Sequence, residues 1–141
     1  MAGRVLLLAT LETKAAEHGF LRDRLAELGA ATETIDVSLG GAGEAWEPAR
    51  KMAALDAAAE QAAARLRAID AAGCVAVGVG GGTGAAVILR ALRVLPALAP
   101  KILISPLPFD PRPAVADSSV ILVPTLEDVC GLSAGFCRIA A

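Results

Sequence analysis

Five glycines fall within the seven residues from Gly78 to Gly84 of the stretch GVGGGTGAA, with the apolar run CVAV just before it and VILRALRVL just after. Bare backbone at the start of a helix leaves N–H groups uncovered. With the helix dipole behind them, such groups form a cradle for a phosphate or another anion. Gly80, Gly81, Gly82 and Gly84 would present that backbone, and Thr83 would add a hydroxyl. A tight strand-to-helix turn without any ligand is the competing reading. The number of glycines favours the phosphate, since a plain turn needs only one or two.

Other chemistry-bearing residues fall into two loops of the same character. TLETK offers Thr10, Thr13 and the cation of Lys14, while Glu12, Lys14 and Glu17 equally suit the solvated first turn of a helix with Thr13 as its cap. Asp36 closes an alternating run, TETIDV, where an acidic ribose contact or a loop cap are equal alternatives. SPLPFDPRP begins at Ser105, is stiffened by four prolines, and places Phe109, Asp110 and Arg112 as a rim, with Phe109 able to stack on a base. The glycine stretch is not a P-loop, because no lysine follows it. It is a one-residue-longer variant of the dinucleotide pattern, with no acidic residue about 20 positions downstream.

Hydrolytic constellations are absent. The single histidine, His18, sits on the polar face of a helical pattern and is expected to be exposed, which leaves no Ser–His–Asp or Cys–His set. Cys74, Cys130 and Cys137 are odd in number and form no CxxC; the last two, seven apart, suit one helix face. Packing accounts for them better than a metal site.

The elements that must position these loops alternate in type. RVLLLA is a continuous apolar run, as in a strand covered on both faces, and Leu21, Leu25 and Leu28 follow at helical spacing up to Gly29. After TETIDV and the loop SLGGAGE, a long helix runs from about Pro48 to about Ala71. Met52, Leu55, Ala59, Ala62, Leu66 and Ile69 follow a seven-residue hydrophobic repeat, which suits a helix face packed on a sheet better than the alternative, a coiled-coil seam. CVAVGV, KILIS and SVILV make three more strands. A nearly all-apolar helix from Ala85 to Leu95 lies between the first two, buried or meeting a second subunit. Thr125 and Asp128 read as a capping box opening a last helix. The pattern predicts one α/β domain over residues 1–141: a Rossmann-like, doubly wound, mostly parallel five-stranded sheet with helices on both faces. In such sheets the loops after the first and third strands flank the ligand crevice.

Composition agrees with that class. The chain has 141 residues, long enough for a core without staples. It is 55% hydrophobic with only 3% aromatic residues, as in alanine-rich packed helices. A net charge of −2 gives no basic footprint, so nucleic acid is not an expected partner. The uncharged stretch from Ala71 to Leu89 is interrupted by glycines and reads as strand, loop and helix start rather than a membrane span. Without a signal-peptide pattern, the expected location is cytoplasmic.

LLATLETK, FLRDRLAELG and IDV, then VGVGGGTGAA, ALRVLP, PKILIS and VILVPTLEDVCGL, occur here in an order that resembles a family of largely uncharacterised bacterial and fungal proteins. The same module forms the N-terminal ATP-binding domain of the tomato mosaic virus resistance protein. The resemblance covers most of the chain and implies a Rossmann-like first lobe that binds ATP, with or without Mg²⁺. Thr10, Thr13 and Lys14 match in the first loop and Gly80, Gly81, Gly82, Thr83 and Gly84 in the second. Beyond strand four, where the family loop is small and polar, Ser105 matches and Asp110 falls near a family aspartate. The family's second lobe implies a homodimer or a separate second-lobe partner chain here. The expected function is therefore nucleotide binding without evident catalysis. The alternatives are a non-catalytic interaction subunit with a degenerate site, or an enzyme acting on a phosphate or carboxylate metabolite with Asp36 or Glu12 as acid or base.

Overall fold

Apolar side chains leave β1 (Arg4–Ala9) on both sides, and each side meets its own helical layer. Leu6 and Leu8 point into one core with Ile35, Leu66, Ile88 and Leu103. Val5, Leu7 and Ala9 point into the other with Leu21, Ile104 and Phe136. A computed structural model describes residues 3–41 and 45–141. Along the chain come α1 (Leu11–Glu27), β2 (Ala31–Asp36), α2 (Pro48–Ala68), β3 (Cys74–Val79), α3 (Gly82–Leu92), β4 (Lys101–Ser105), α4 (Arg112–Val115), β5 (Val120–Pro124) and α5 (Ala134–Ala140).

All strand pairings are parallel, in the order β2-β1-β3-β4-β5. Parallel neighbours need crossover connections, and the helices supply them. α1 and α5 cover one face and α2, α3 and α4 the other, which is the doubly wound arrangement in its flavodoxin-like order. Strand order reverses between β1 and β3, so the crevice of such a sheet belongs at their carboxyl ends.

α3 is buried from Gly84 to Leu92 apart from half-buried Ala86 and exposed Arg90, whose guanidinium reaches Asp56 on α2. Its burial lies within the chain, so it offers no apolar face to a second subunit. Val87, Ile88, Leu89 and Leu92 each contribute about 1.5–3 kcal/mol by leaving water. Gly78 makes this close packing possible, because a Cβ there would lie 2.6 Å from Ile88 Cγ2. No described helix is long and apolar enough to cross a membrane.

Several local expectations are corrected. α3 starts at Gly82 and ends at Leu92, earlier than the hydrophobic run suggests, because the glycines themselves form its first turn. α2 ends at Ala68. Its buried stripe is Ala58, Ala59, Ala62, Ala63 and Leu66, while Met52 of the seven-residue repeat is exposed. Thr125 and Asp128 cap no helix. The Thr125 hydroxyl donates to the Glu127 carbonyl, Gly131 bends away at φ +75°, and α5 starts behind Ser133, whose Oγ accepts from Phe136 N. Cys130 therefore lies on a loop and shares no helix with Cys137. His18 is buried, its Nε2 2.9 Å from Thr34 Oγ1 on β2. Residues 42–44 of the SLGGAGE loop lie outside the described residues.

Candidate functional site

The chain turns sharply from β3 into α3, and that turn explains part of the glycine run. A Cβ on Gly80 would lie 3.1 Å from the backbone of Gly84 and Ala85, and one on Gly82 would lie 2.8 Å from Pro108 Cγ. Gly81 and Gly84 are different. Their nearest neighbours would be Asp128 Oδ1 and Thr10 Cγ2, both at an ordinary 3.5 Å. None of the five has positive φ, so what matters here is the missing Cβ rather than an unusual backbone angle. Packing inside the chain therefore accounts for Gly78, Gly80 and Gly82 and leaves Gly81 and Gly84 without a steric reason.

α3 opens without a side-chain cap. Among the described residues, the N–H groups of Gly82, Thr83 and Gly84 meet no acceptor, while Ala85 N already reaches Gly81 O at 2.8 Å. The helix dipole adds partial positive charge at that point. These groups face a crevice of about 380 Å³ at the carboxyl ends of β1 and β3, where strand order reverses.

The opposite wall is the first turn of α1. Thr10 is its cap residue, and Thr10 and Thr13 share a hydrogen bond between their hydroxyls at 2.9 Å. At Lys14 the helix leaves regular geometry (φ −125°, ψ 28°), which sets off this first turn from the rest of α1. Lys14 and Lys51 both line the crevice, and among the described residues neither has an acidic partner within 4 Å. Glu12, Leu39, Gly41, Trp46 and Asp128 complete the walls.

The structure thus brings together Thr10, Thr13, Lys14, Gly81, Gly82, Thr83 and Gly84. Gly80, Asp36 and Ser105 do not line the crevice. Gly80 N extends the sheet to Ile104 O, and Ser105 is fully buried, its Oγ accepting from Leu107 N. Asp36 Oδ1 accepts from Leu11 N, Ser38 N and Ser38 Oγ, the role of a loop cap. Burial pushes the Asp36 pKa up, but the bonds from Ser38 and Leu11 and the charge of Arg65 outweigh it and leave the pKa lowered. Phe109 packs half-buried against the α3 side of the core, so Trp46 is the aromatic of the crevice.

Trp46, Lys51 and Asp128 were missed because they reach the crevice from two places distant in sequence from the glycine turn, Trp46 and Lys51 around the start of α2 and Asp128 on the loop between β5 and α5. One signal pointed to Lys51: Arg50 and Lys51 stand near the start of α2, whose first turn has no acidic residue. Cations there oppose the helix dipole, so they are poor choices for stability alone. Glu12, expected on a solvated turn, has its carboxylate bonded to three backbone amides. The arrangement is chemically an anion cradle, two amines and an open helix start, with two carboxylates: Asp128 at its edge and Glu12, whose oxygens are taken up by backbone amides. Among the described residues no group of three His, Cys, Asp or Glu side chains could hold a metal by itself.

Comparison with known proteins places these features in a lineage. Residues 44–140, which include the glycine turn and Asp128 but not the Thr10–Lys14 turn, match the Uncharacterised protein family (UPF0261) N-terminal domain. A similar protein is UPF0261 protein mlr3387 of Mesorhizobium japonicum, 31% identical over 153 aligned residues. That alignment covers 92% of this chain and 38% of the relative, so the chain spans little more than a third of the relative's length. The family match, which spans more than half of the chain, shows that the chain belongs to the UPF0261 family, in the part that forms its N-terminal domain.

Proposed function

We propose that this domain binds a nucleotide, ATP, by its phosphates at the start of α3. One observation carries the reading: the uncapped amides of Gly82, Thr83 and Gly84 open into the same crevice as Lys14 and Lys51, two amines without acidic partners among the described residues. Backbone amides and a helix dipole suit a phosphate at close range, and the absence of a Cβ at Gly81 and Gly84 leaves room for it. Lys14 and Lys51 supply full charge, and Thr10, Thr13 and Thr83 supply hydroxyls. Asp128, beside Gly81, is the carboxylate through which Mg²⁺ accompanying the phosphates would be held, since this ion commonly uses one or two carboxylates plus substrate oxygens. The resemblance to the ATP-binding domain of the tomato mosaic virus resistance protein supports ATP among the nucleotides.

Binding without a chemical step is the reading. A second copy or a second lobe would cover Ile121 and Leu126, apolar side chains exposed on β5 and just beyond it. Calorimetric titration with ATP, with and without Mg²⁺, tests the binding. Saturable heat is expected from the wild type, with affinity about tenfold weaker in Lys14→Ala, the usual scale of a charged hydrogen bond. No heat at millimolar ATP from folded protein would refute it.

A further inference from the structure

The crevice contains two sets of backbone amides, and only one of them is open. The other set belongs to the segment after β2. Leu39 N and Gly40 N donate to Glu12 Oε1 at 2.9 and 3.2 Å, and Gly41 N donates to Glu12 Oε2 at 3.2 Å. Three successive amides converging on one anion form a backbone nest, and Gly40 at φ +74° supplies the left-handed residue such a nest needs. Gly41 then passes the contact on, its carbonyl accepting from Trp46 Nε1 at 3.2 Å.

The clasp also works in the opposite direction. Leu11 N donates to Asp36 Oδ1 and Glu12 N to Ser38 Oγ. Side chains from the end of β2 and the segment after it thus cap the first turn of α1, while a side chain of that turn fills the nest of the segment. Glu12 has no cationic partner among the described residues, so its charge is held by amides alone.

We propose that Glu12 is the positioning residue of the crevice. It acts as an internal anion that fixes the Trp46 wall against the turn carrying Thr13 and Lys14. Filling this nest also leaves the start of α3 as the open amide set, which directs a phosphate there. For its effect on ligand, this inference rests on the nucleotide reading; for the placement of Trp46, it rests on the hydrogen bonds alone.

Trp46 is the sole tryptophan of the chain, so its fluorescence reports on this wall without any ligand. The experiment compares acrylamide quenching of the free protein, and then ATP affinity, across wild type, Glu12→Gln, Glu12→Ala and Gly40→Ala. Thermal melts verify that each variant is folded. Glu12→Ala is expected to raise quenching and weaken ATP about tenfold, the scale of lost charge-assisted bonds. Glu12→Gln keeps an oxygen for Leu39 and Gly40 but turns an NH₂ toward Gly41, so it should fall between. Gly40→Ala attacks the nest from the backbone side, with no steric clash but a strained φ, and should mimic Glu12→Ala without adding to it in the double variant.

Unchanged quenching in a folded Glu12→Ala, or additive effects in the double variant, would overturn the proposal. Wild-type ATP affinity in Glu12→Ala would equally overturn it. If the wild type binds no ATP, the nucleotide reading fails, and the quenching series still decides whether Glu12 holds Trp46.

Discussion

Lysines stand at both ends of this sheet in opposite circumstances. At the amino end, Lys101 opens β4 fully buried, its Nζ donating to the carbonyls of Pro96, Ala99 and Ala97 at 2.7, 3.1 and 3.3 Å, with Ser119 Oγ at 3.5 Å. At the carboxyl end, Lys14 and Lys51 line a crevice beside an uncapped helix start, with no acceptor among the described residues. Lys101 replaces water completely with its own chain, and that makes it part of the scaffold. The crevice lysines keep their donors for an acceptor that the chain does not provide. The same contrast separates the amide sets: Glu12 fills the nest at residues 39–41, and nothing among the described residues fills the start of α3.

Exchanging the effects of the two lysine classes would break this comparison, and the largest effect is expected at Lys101. Lys101→Met leaves buried carbonyls without a donor and should cost about 3 kcal/mol in urea unfolding, while ATP affinity stays at the wild-type value. Lys14→Ala should do the reverse, changing stability by less than about 0.5 kcal/mol while weakening ATP. A stability loss from Lys14→Ala as large as that from Lys101→Met would place both residues in the scaffold.

His18, on the face of α1 that meets Thr34 of β2, sharpens the comparison with a smaller effect. Burial and the nearby Arg22 lower its pKa below the ordinary 6.5, against the opposing pull of Asp36 and Asp23. A base with a lowered pKa in the folded state stabilises the fold above its unfolded pKa. That contribution disappears as pH falls through the folded value. The thermal midpoint should therefore drop between pH 7 and pH 5 in the wild type and drop less in His18→Gln, which keeps a partner for Thr34. ATP affinity at pH 7 should not change. Equal pH slopes in both proteins would show that His18 carries no such linkage.

How much of this was legible beforehand depended on how local each signal was. β1, β3 and β4 stood out because strands buried on both faces read as unbroken apolar runs, and alternation with helices then required a parallel sheet. The Thr10–Lys14 turn and the glycine turn could be paired in advance, since the topology brings the ends of the first and third strands together. α5 was misplaced because a Thr-x-x-Asp spacing resembles a cap whatever residues come after it, and Gly131 diverts the chain first. Glu12 is exposed, as a solvated first turn predicts, but its role in the loop was not legible because its partners lie about 27 positions away and are backbone amides, which leave no trace in side-chain types. His18 misled for a similar reason, its partner Thr34 being on another element.

The most direct measurement is a ¹⁵N-resolved amide titration of the wild-type protein with ATP. The largest shifts are expected at Gly81, Gly82, Thr83 and Gly84, with smaller ones at Thr13 and Lys14 and none around Lys101. Shifts absent from the start of α3, or concentrated at the amino end of the sheet near Arg93 and Ser118, would contradict phosphate binding at the glycine turn.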